Sequence, residues 1–370
     1  MFVERFMSWS VTAGADQRVE AICRLADTYL NDAIVADDRR ATEQVFTLYL
    51  NDPSAKVRTA MADALAKSER TPRTLVWGLS QDTSQVASRV YANSPLFKDA
   101  DLVHAINSED QLIQTAIAQR EVLSGSVVRA LVSFGGDRAV SALMQNPFVV
   151  LSPALKHDIA ARLGKVPAIR AALLEAEDLM STTRQLLVQR LSSSLVSLVS
   201  DREWGSSVRI ANCANDATNR VAVEIAMDTH NDNMDEYVAH LRDTAQLTPA
   251  LLVRAICAGN AALFEMAIAT LSGSSLKRVQ SIVDEGRISA FRALYGRTGL
   301  PQSAYGVFCA AITSWQAAQD GDNVLMNIIE RAEKDETVDG ALLALLGRMA
   351  TEAEYQAAQA YDRQLLLAAA

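Results

Sequence analysis

The sequence predicts an all-α protein in which a solenoid of helical hairpins is followed by a C-terminal helical module. Three observations lead to this prediction: apolar residues recur at helical spacing, a helix–turn–helix pattern repeats along the first half, and the composition suits many helices joined by short turns. Only 8 prolines and 16 glycines interrupt the 370 residues, of which 49% are hydrophobic. A chain of this length and composition has enough apolar side chains to bury a core.

The repeating pattern is clearest in residues 50–65, LNDPSAKVRTAMADAL. Leu50 closes a helix, and the Asp52-Pro53 pair is typical of a turn, because aspartate accepts hydrogen bonds from nearby backbone and proline needs no donor. An amphipathic helix follows, with apolar residues at helical spacing: Val57, Ala60, Met61, Ala64 and Leu65. The stretch therefore predicts one unit of a helical repeat.

Copies of this pattern follow at intervals of 29 and then 27 residues. The apolar positions recur as Leu50, Val57 and Met61, then Leu79, Val86 and Val90, then Ile106, Ile113 and Ile117. The charges do not recur: Arg58 aligns with Ala87, and Asp52 aligns with Gln81, although Asp82 lies one position later. Two helices in so short a unit follow the pattern of HEAT and armadillo repeats at a shorter period, so we predict a HEAT-like α-solenoid.

Changes in composition divide the chain into three predicted parts. Residues 1–200 form the HEAT-like helical repeat domain, residues 201–245 an acidic elbow or linker, and residues 246–370 a C-terminal helical module. The middle part is rich in acidic residues and asparagine. The last part opens with Thr248 and Pro249, which are typical of an N-cap and of the first position of a helix.

Charge and cysteine content narrow the possible partners and the compartment. The net charge of −9 argues against nucleic acid as the main partner, because such binding neutralises many phosphates. The four cysteines are far apart in the sequence and are interpreted as reduced, buried thiols: Cys23, Cys213, Cys257 and Cys309. No signal peptide and no membrane-spanning apolar stretch is recognisable, so we expect a cytoplasmic protein without a transmembrane segment.

No common catalytic motif is present in the sequence. Gly164-Lys165 is followed by Val166, so it does not form a phosphate-binding loop, and no zinc-protease or nucleophile-elbow pattern occurs. One acid-rich segment contains two of the four histidines: Asp228, His230, Asp232, Asp235, Glu236 and His240. It does not match a calcium loop, because Asn233 stands where the sharp turn requires glycine. We therefore predict no catalytic residues, no metal site and no cofactor.

Two basic clusters are candidate binding sites. The first lies in and after the stretch 50–65 and is the preferred contact for an acidic protein or peptide partner: Lys56, Arg58, Lys67, Arg70 and Arg73. The second is a candidate anion site in the C-terminal module: Lys277, Arg287, Arg292 and Arg297. The alternative for the first cluster is a solvated helix face, and for the second it is ordinary ion pairing with Asp284 and Glu285.

Two long stretches of the chain resemble a known family. They are IAQREVLSGSVVRALVSFGGDRAVSALMQNP at 117–147, and LTPALLVRAICAGNAALFEMAIATLSG with the later ALYGRTGLP within 247–301. These stretches resemble the alphaproteobacterial family catalogued as domain of unknown function 2336, over about residues 15–315, and the polar matches include Arg120, Asn146 and Gly259. The resemblance implies an all-helical, HEAT-like bacterial protein and provides no catalytic residue to transfer.

The sequence as a whole favours a non-enzymatic adaptor or regulatory scaffold. Stacked repeats create extended grooves, and we expect a protein or peptide partner to bind along the concave surface near residues 56–73. Two alternatives remain open: a HEAT-like protein that binds nucleic acid, and a sensor that binds an anionic small ligand in the C-terminal module. The identity of the partner and the oligomeric state do not follow from the sequence.

Overall fold

The chain is helical throughout the residues that the computed structural model describes, which are 2–31, 36–108, 110–202, 206–317 and 324–368. In these ranges it contains 22 α-helices, two short 3-10 helices and no strand, which confirms the prediction of an all-α protein. The helices divide into two compact units, Met1–Leu179 and Met180–Ala370. We call these the N-terminal unit and the C-terminal unit.

The N-terminal unit contains twelve helices among its described residues. They are α1 (Phe2–Thr12), α2 (Ala15–Leu30), α3 (Ala36–Tyr49), α4 (Ala55–Leu65), α5 (Arg73–Ser80), α6 (Ser84–Asn93), α7 (Asp99–Ile106), α8 (Gln111–Ala118), α9 (Gly125–Phe134), α10 (Asp137–Met144), α11 (Pro153–Leu163) and α12 (Pro167–Leu174).

The stretch 50–65 folds as its pattern predicts. Helix α3 ends at Tyr49, a turn follows, and α4 begins after Ser54 with Val57, Met61 and Leu65 buried. The corresponding apolar residues of the next units are also inside, except that Ile113 is only partly covered. Burial of these side chains removes apolar surface from water and stabilises each helix against its neighbours.

The even-numbered helices of the N-terminal unit pack side by side. Each contacts the next even-numbered helix, from α2 through α4, α6, α8 and α10 to α12. Among odd-numbered helices, close packing is seen between α1 and α3, α7 and α9, and α9 and α11. The even-numbered helices thus form a continuous row, whereas close packing along the odd-numbered helices is interrupted at α5.

Polar side chains connect the turns of successive helices, mainly along the even-numbered row and once between α11 and α9. Near the start of each helix, a side chain contacts the turn before the next one: Arg18 with Asp52, Arg58 with Asp82, Ser84 with Asp110, and Gln114 with the backbone of Gly136. Near the helix ends, side chains donate to backbone carbonyls at the end of the helix two places earlier or in the turn after it. The pairs are Arg120 with Tyr91 and Ser94, Asn146 with Ala118 and Arg120, and Arg162 with Val132 and Gly135. These bonds satisfy carbonyls that a helix end leaves without an intrahelical donor.

The C-terminal unit contains ten α-helices among its described residues. They are α13 (Ser181–Asp201), α14 (Ser207–Asp228), α15 (Met234–Asp243), α16 (Pro249–Cys257), α17 (Ala261–Ser272), α18 (Leu276–Asp284), α19 (Ile288–Tyr295), α20 (Tyr305–Ala317), α21 (Val324–Glu333) and α22 (Gly340–Ala368). Short 3-10 helices precede α15 at Asn231–Asn233 and α20 at Gln302–Ala304.

One contiguous apolar core holds the C-terminal unit together. It extends from Ala222 on α14 to Met349 on α22. Its centre is a group of packed aromatic rings: Phe264, Phe291, Tyr295, Tyr305, Phe308 and Trp315. Aromatic pairs at these separations contribute beyond the area that they bury.

The two units do not follow the predicted domain boundaries. The division falls after Leu179 rather than at residue 200, so α13 belongs entirely to the C-terminal unit. The described part of the predicted elbow 201–245 is mostly helical, while residues 203–205 lie outside the described residues. Most of its described acidic side chains face solvent, whereas Val223, Met234 and Tyr237 belong to the core.

Left-handed residues end several helices of the C-terminal unit. Four are glycines with positive φ: Gly259, Gly273, Gly286 and Gly299. The fifth is Ala245, with φ of 56°, where the backbone N–H of Gln246 donates to the carbonyl of Leu241 at 2.7 Å. Within the described residues, the N-terminal unit has no residue in this conformation. Alanine is disfavoured there because its Cβ crowds the backbone.

A separate observation concerns membranes. None of the helices in the described part of the chain combines the length and apolar character needed to cross a lipid bilayer.

Candidate binding groove

The first predicted basic cluster is split between the two ends of α4. Lys56 and Arg58 lie in its first turn, whereas Lys67, Arg70 and Arg73 follow its last residue. A helix of 11 residues is about 16 Å long, so the two groups do not form one compact patch.

Arg58 is committed to an internal ion pair. Its guanidinium donates to both carboxylate oxygens of Asp82, at 2.5 and 3.0 Å, and also to the backbone carbonyl of Asp52. Only 15% of the Arg58 side chain and 12% of the Asp82 side chain are exposed. Burial alone would raise the pKa of Asp82, but hydrogen bonds from Arg58 and from the Thr83 backbone bring it below its ordinary value. Arg58 therefore connects α4 to α6 and is not presented to a partner.

The other members of the first cluster are more accessible. Lys56 pairs with Asp16, and both side chains are largely exposed. Arg73 pairs with Asp101, Arg70 donates to the carbonyl of Leu30, and Lys67 is exposed. Exposed pairs of this kind are screened by water and hold the side chains weakly.

The second predicted cluster is spread around α18 and α19. Lys277 lies in the first turn of α18, and Arg287 follows the last residue of the same helix, where it pairs with Glu285 at 3.0 Å. Arg292 lies over the ring of Tyr305, and Arg297 lies beside Gly273. The expected ion pair with Glu285 is present, and Lys277 and Arg287 are separated by the length of α18.

The side chains of the acid-rich segment 228–240 are spread over the end of α14 and the start of α15. Asp228 is at the end of α14 and pairs loosely with Arg184, while Asp235 and Glu236 are in the exposed first turn of α15. Among the described residues, no group of three histidine, cysteine, aspartate or glutamate side chains is arranged to hold a metal ion.

The thiols differ in accessibility. Burial raises the pKa of Cys257 to about 12 and also raises the pKa of Cys309, so neither thiol is activated. Cys213 on α14 is exposed and the other three cysteines are only partly buried, which corrects the interpretation that all four are buried.

A large groove with polar and apolar lining lies within the C-terminal unit, in a region that contains none of the predicted site residues. Its volume is about 950 Å³, and its walls come from α13, α14, the turn after α15 and the first half of α22. We call it the amide groove, after the side chains that line it: Gln189, Asn212, Asn215, Asn219 and Gln246, with hydroxyls from Ser192, Ser193, Thr218 and Thr248. Alanine and leucine side chains of α13, α16 and α22 complete the lining.

Helical spacing explains why the asparagines face the groove together. Asn212, Asn215 and Asn219 are three and four residues apart on α14, which places them on one face of the helix. Within the described part of the chain, neither these side-chain amides nor that of Gln189 has a hydrogen-bond partner. Asn212 and Asn215 are exposed to solvent, whereas the buried amides of Gln114 and Asn146 are bonded within the protein.

A buried hydrogen-bond network fixes one edge of the amide groove. The hydroxyl of Tyr237, which is fully buried, contacts the side chain of Gln185 and the carbonyl of Ala222. Gln185 in turn donates to Gln246, whose own amide donates to Thr244 at 2.6 Å. Burial raises the pKa of Tyr237, so its hydroxyl stays protonated. The strained residue Ala245 lies between Thr244 and Gln246, so this edge is held in place by the network.

Ion pairs attach α22 to the opposite wall. Arg348 donates to Asp216 at 2.8 Å, and Glu352 accepts from Arg220 and Arg254. Arg254 is almost fully buried, with 8% of its side chain exposed. Burial would raise the pKa of Glu352, but hydrogen bonds from the two arginines bring it below its ordinary value. The charged form of Glu352 is thus the one that holds α22 against α14 and α16.

The groove offers hydrogen bonds of both senses, and its charged lining residues are Arg190, Arg348 and Asp216. Each carboxamide supplies two donors and an acceptor oxygen, and each hydroxyl donates or accepts. Arg348 is neutralised by Asp216. Sequence reasoning missed the site because amides at helical spacing are also common on solvated helices. The only signal was the row of Asn212, Asn215 and Asn219 on one face.

Residues with polar matches to the family have structural roles. Arg120 and Asn146 bond to the ends of preceding helices, and Gly259 has the left-handed backbone that ends α16.

Comparison with known proteins identifies one family. Residues 86–334 match the bacterial family described as "Uncharacterised protein conserved in bacteria (DUF2336)". Neither the curated proteins nor the solved structures contain a match to the chain. The matched segment begins and ends later than the expected 15–315, and it covers more than half of the 370 residues. The chain therefore belongs to the DUF2336 family.

Proposed function

We propose that this protein is a non-enzymatic adaptor or scaffold whose N-terminal unit forms a HEAT-like α-solenoid and binds a protein or peptide partner along its concave surface. The observation that carries this proposal is the regular packing of the even-numbered helices, each against the next, from α2 to α12. Units that stack in this way bury their apolar faces against each other and leave an extended outer surface.

The polar links between units support the same proposal. Arg58 and Asp82 are 24 residues apart, Ser84 and Asp110 are 26 apart, and Asn146 and Ala118 are 28 apart. These separations are close to the 29- and 27-residue intervals of the apolar pattern, as expected when each link joins one repeat to the next.

The partner surface is the exposed face of the even-numbered row. Close packing is continuous along this row and interrupted along the odd-numbered row. A stack of this kind curves toward its more closely packed side, which makes the even-numbered row concave. Of the first basic cluster, Lys56 and Lys67 are the residues with charge available to an acidic partner.

Site-specific photo-crosslinking in the native cell tests this proposal. A photoreactive amino acid is placed at one exposed position of each of three even-numbered helices: Gln85, Leu112 and Arg138. Matched positions on the odd-numbered helices are Thr74, Ala100 and Arg129. We expect the three even-row positions to capture one common protein that the odd-row positions do not capture. Equal capture from both rows, or unrelated proteins at each even-row position, would contradict the proposal.

A charge test addresses the contact residues. The double variant Lys56→Glu/Lys67→Glu should reduce capture of that protein at least several-fold. Lys165→Glu, an exposed substitution of the same type elsewhere in the N-terminal unit, serves as the control and should leave capture unchanged. If the two variants capture the partner equally well, the basic residues are not part of the contact.

A further inference from the structure

The turns that follow α4, α6, α8 and α10 are equivalent positions of successive units. In three of them a backbone N–H donates to a side chain two residues earlier: Arg70 to Ser68, Leu96 to Ser94, and Phe148 to Asn146. Hydrogen bonds also join the last three turns in order, because Arg120 donates to the carbonyl of Ser94 and Asn146 donates to the carbonyl of Arg120. The turns therefore lie side by side along one edge of the N-terminal unit.

One residue of each turn occupies the same place in the repeat, at intervals of 26 residues: Arg70, Leu96, Val122 and Phe148. We call these four residues the turn row. Val122 is 82% exposed and Phe148 is 65% exposed, while Leu96 is half-buried and Arg70 is exposed. Single exposed apolar residues are common on protein surfaces. Stacking of the units does not explain why three successive units each place one at an equivalent position.

The spacing of the turn row matches one face of an α-helix. Packed neighbouring helices are about 8–10 Å apart, so equivalent turns are separated by a similar distance. An α-helix returns to the same side every seven residues, over about 10.5 Å. Three residues of an extended segment also span about 10 Å, but the N–H and C=O groups of that segment would need partners that apolar side chains do not supply. A helix bonds its own backbone and buries a stripe of side chains alone.

A hollow of about 230 Å³ lies between two positions of the turn row. Gln119 from the turn after α8 and Gln145 from the turn after α10 line it, so it separates the turns of Val122 and Phe148. The remaining lining residues are Ala142, Asn146, Pro147 and Phe148 itself. A helix that contacts both turns carries another side chain on the same face three or four residues along. The hollow provides room for that side chain.

The exposed charges of the four turns are unevenly distributed. The basic ones are Lys67, Arg70 and Lys98, all at the α4 and α6 end, and the acidic ones are Glu69 and Glu121. The turn after α10, residues 145–152, has no charged residue. A bound helix would therefore be acidic at its α4 end and apolar along the rest. A membrane surface fits less well, because basic residues would be needed beside the most exposed apolar side chains, and Glu121 lies there instead.

We propose that the turn row binds an amphipathic helix of a partner protein. Three apolar side chains of that helix, at seven-residue intervals, contact Leu96, Val122 and Phe148, and an acidic residue one interval further contacts Arg70. The bound helix is about 32 Å long, because it spans three intervals. This inference rests on the proposed function in one respect, that the partner is a protein. It adds the form of the partner and the turns that it contacts.

Fluorescence polarisation with the full chain tests the inference. The probe is a fluorescein-labelled helical peptide of alanine and glutamine, with one glutamate at one end followed by three leucines at seven-residue intervals. It is made with the glutamate at either end, because the turn row does not fix the direction of the bound helix. A second peptide of the same composition has its leucines at five-residue intervals, which point to different sides of the helix. A third has lysine in place of glutamate.

Two matched pairs of substitutions are compared. The turn-row variant is Val122→Ser/Phe148→Ser, and the control is Val208→Ser/Tyr355→Ser, a similarly exposed valine and aromatic residue in the C-terminal unit. Wild type and control should bind the probe equally, and the turn-row variant at least tenfold more weakly, with unchanged circular dichroism. Wild type should bind the five-residue-interval peptide at least tenfold more weakly. The lysine peptide should bind wild type at least threefold more weakly than the probe, and should bind Arg70→Glu more tightly than wild type.

Equal binding of the two leucine arrangements, equal binding by the turn-row variant, or no binding at millimolar peptide would overturn the inference. Sedimentation of wild type, but not of the turn-row variant, with vesicles of phosphatidylcholine and phosphatidylglycerol would also overturn it and assign these turns to a membrane surface. Photo-crosslinking from the even-numbered helices is read separately. Capture of one common protein without peptide binding contradicts only this inference, whereas peptide binding without such capture contradicts only the proposed function.

Discussion

Arg58 and Asp82 of the N-terminal unit are 24 residues apart in sequence, whereas Arg220 and Glu352 of the C-terminal unit are 132 apart. The N-terminal unit is held by contacts that repeat with the period of its helices. The C-terminal unit is held by a single core and by ion pairs that join α14 and α16 to its last helix, α22. The N-terminal unit is therefore stabilised by contacts between neighbouring helices, and the C-terminal unit by contacts that involve many of its helices at once.

This difference predicts how far the destabilising effect of a substitution should extend through each unit. In a stack of units, each unit depends mainly on its neighbours, so a substitution should loosen only the adjacent helices. In a unit with one core, the loss of a long-range contact should loosen many helices together. Amide hydrogen exchange, followed peptide by peptide, distinguishes the two outcomes.

The largest effect is expected for Glu352→Ala. The substitution leaves the buried guanidinium of Arg254 without its carboxylate and releases α22 from Arg220. Breaking a buried ion pair in this way costs about 3 kcal/mol of unfolding free energy. We expect faster exchange throughout α14, α16 and α22. Glu354→Ala, an exposed change two residues later, is the control, and equal destabilisation by both would refute the role of the pair.

A smaller and more local effect is expected for Arg58→Ala. It removes both hydrogen bonds to Asp82 and the bond to the Asp52 carbonyl, at a cost of about 2 kcal/mol. Faster exchange should be confined to α2, α4, α6 and α8. Lys56→Ala is the matched control on the same turn, because its exposed pair with Asp16 contributes about 0.5 kcal/mol or less. Exchange that rises equally in α10 and α12 would break the comparison between the units.

A pair of buried asparagines, one in each unit, sharpens the comparison further. Asn146 donates to two carbonyls of the preceding unit at 2.8 Å and accepts from the backbone of Phe148. Asn260 caps α17 and makes one long bond of 3.4 Å to Val223. We expect Asn146→Ala to cost about 1.5 kcal/mol and Asn260→Ala about 1 kcal/mol in urea unfolding. If Asn260→Ala lowers the unfolding free energy more than Asn146→Ala does, the hydrogen bonds between repeats are not the main contribution of these amides.

The sequence predicted buried residues correctly in the N-terminal unit, where one pattern recurs. It did not predict the arrangement of the C-terminal unit, where no such pattern recurs. Val57, Met61 and their copies could be placed because one pattern occurred several times within 70 residues. Arg58 was assigned to a partner contact, whereas the structure pairs it with Asp82, which lies one position from its expected place in the sequence. An ion pair between repeats requires only a carboxylate near the next turn. A turn that is one residue longer still places that carboxylate within reach.

The amide groove could not be assembled from the sequence. Its walls come from segments around residues 189, 215 and 345, which are brought together only by the packing of the C-terminal unit. No local period connects these segments, and polar side chains in them are equally compatible with solvent. The same reason explains the error at 201–245, where exposed acids concealed a buried face that includes Tyr237.

The smallest expected effect concerns the helix ends, where the C-terminal unit uses left-handed residues. Ala245→Gly should raise the unfolding free energy by up to about 1 kcal/mol, because glycine adopts a φ of 56° without strain. Gly259→Ala is the reverse substitution, at a position where a Cβ would meet no neighbouring atom. It should lower the unfolding free energy by about the same amount. Thermal unfolding of both variants measures the difference. If Ala245→Gly also destabilises, the strain at the edge of the amide groove is relieved by contacts that alanine alone makes.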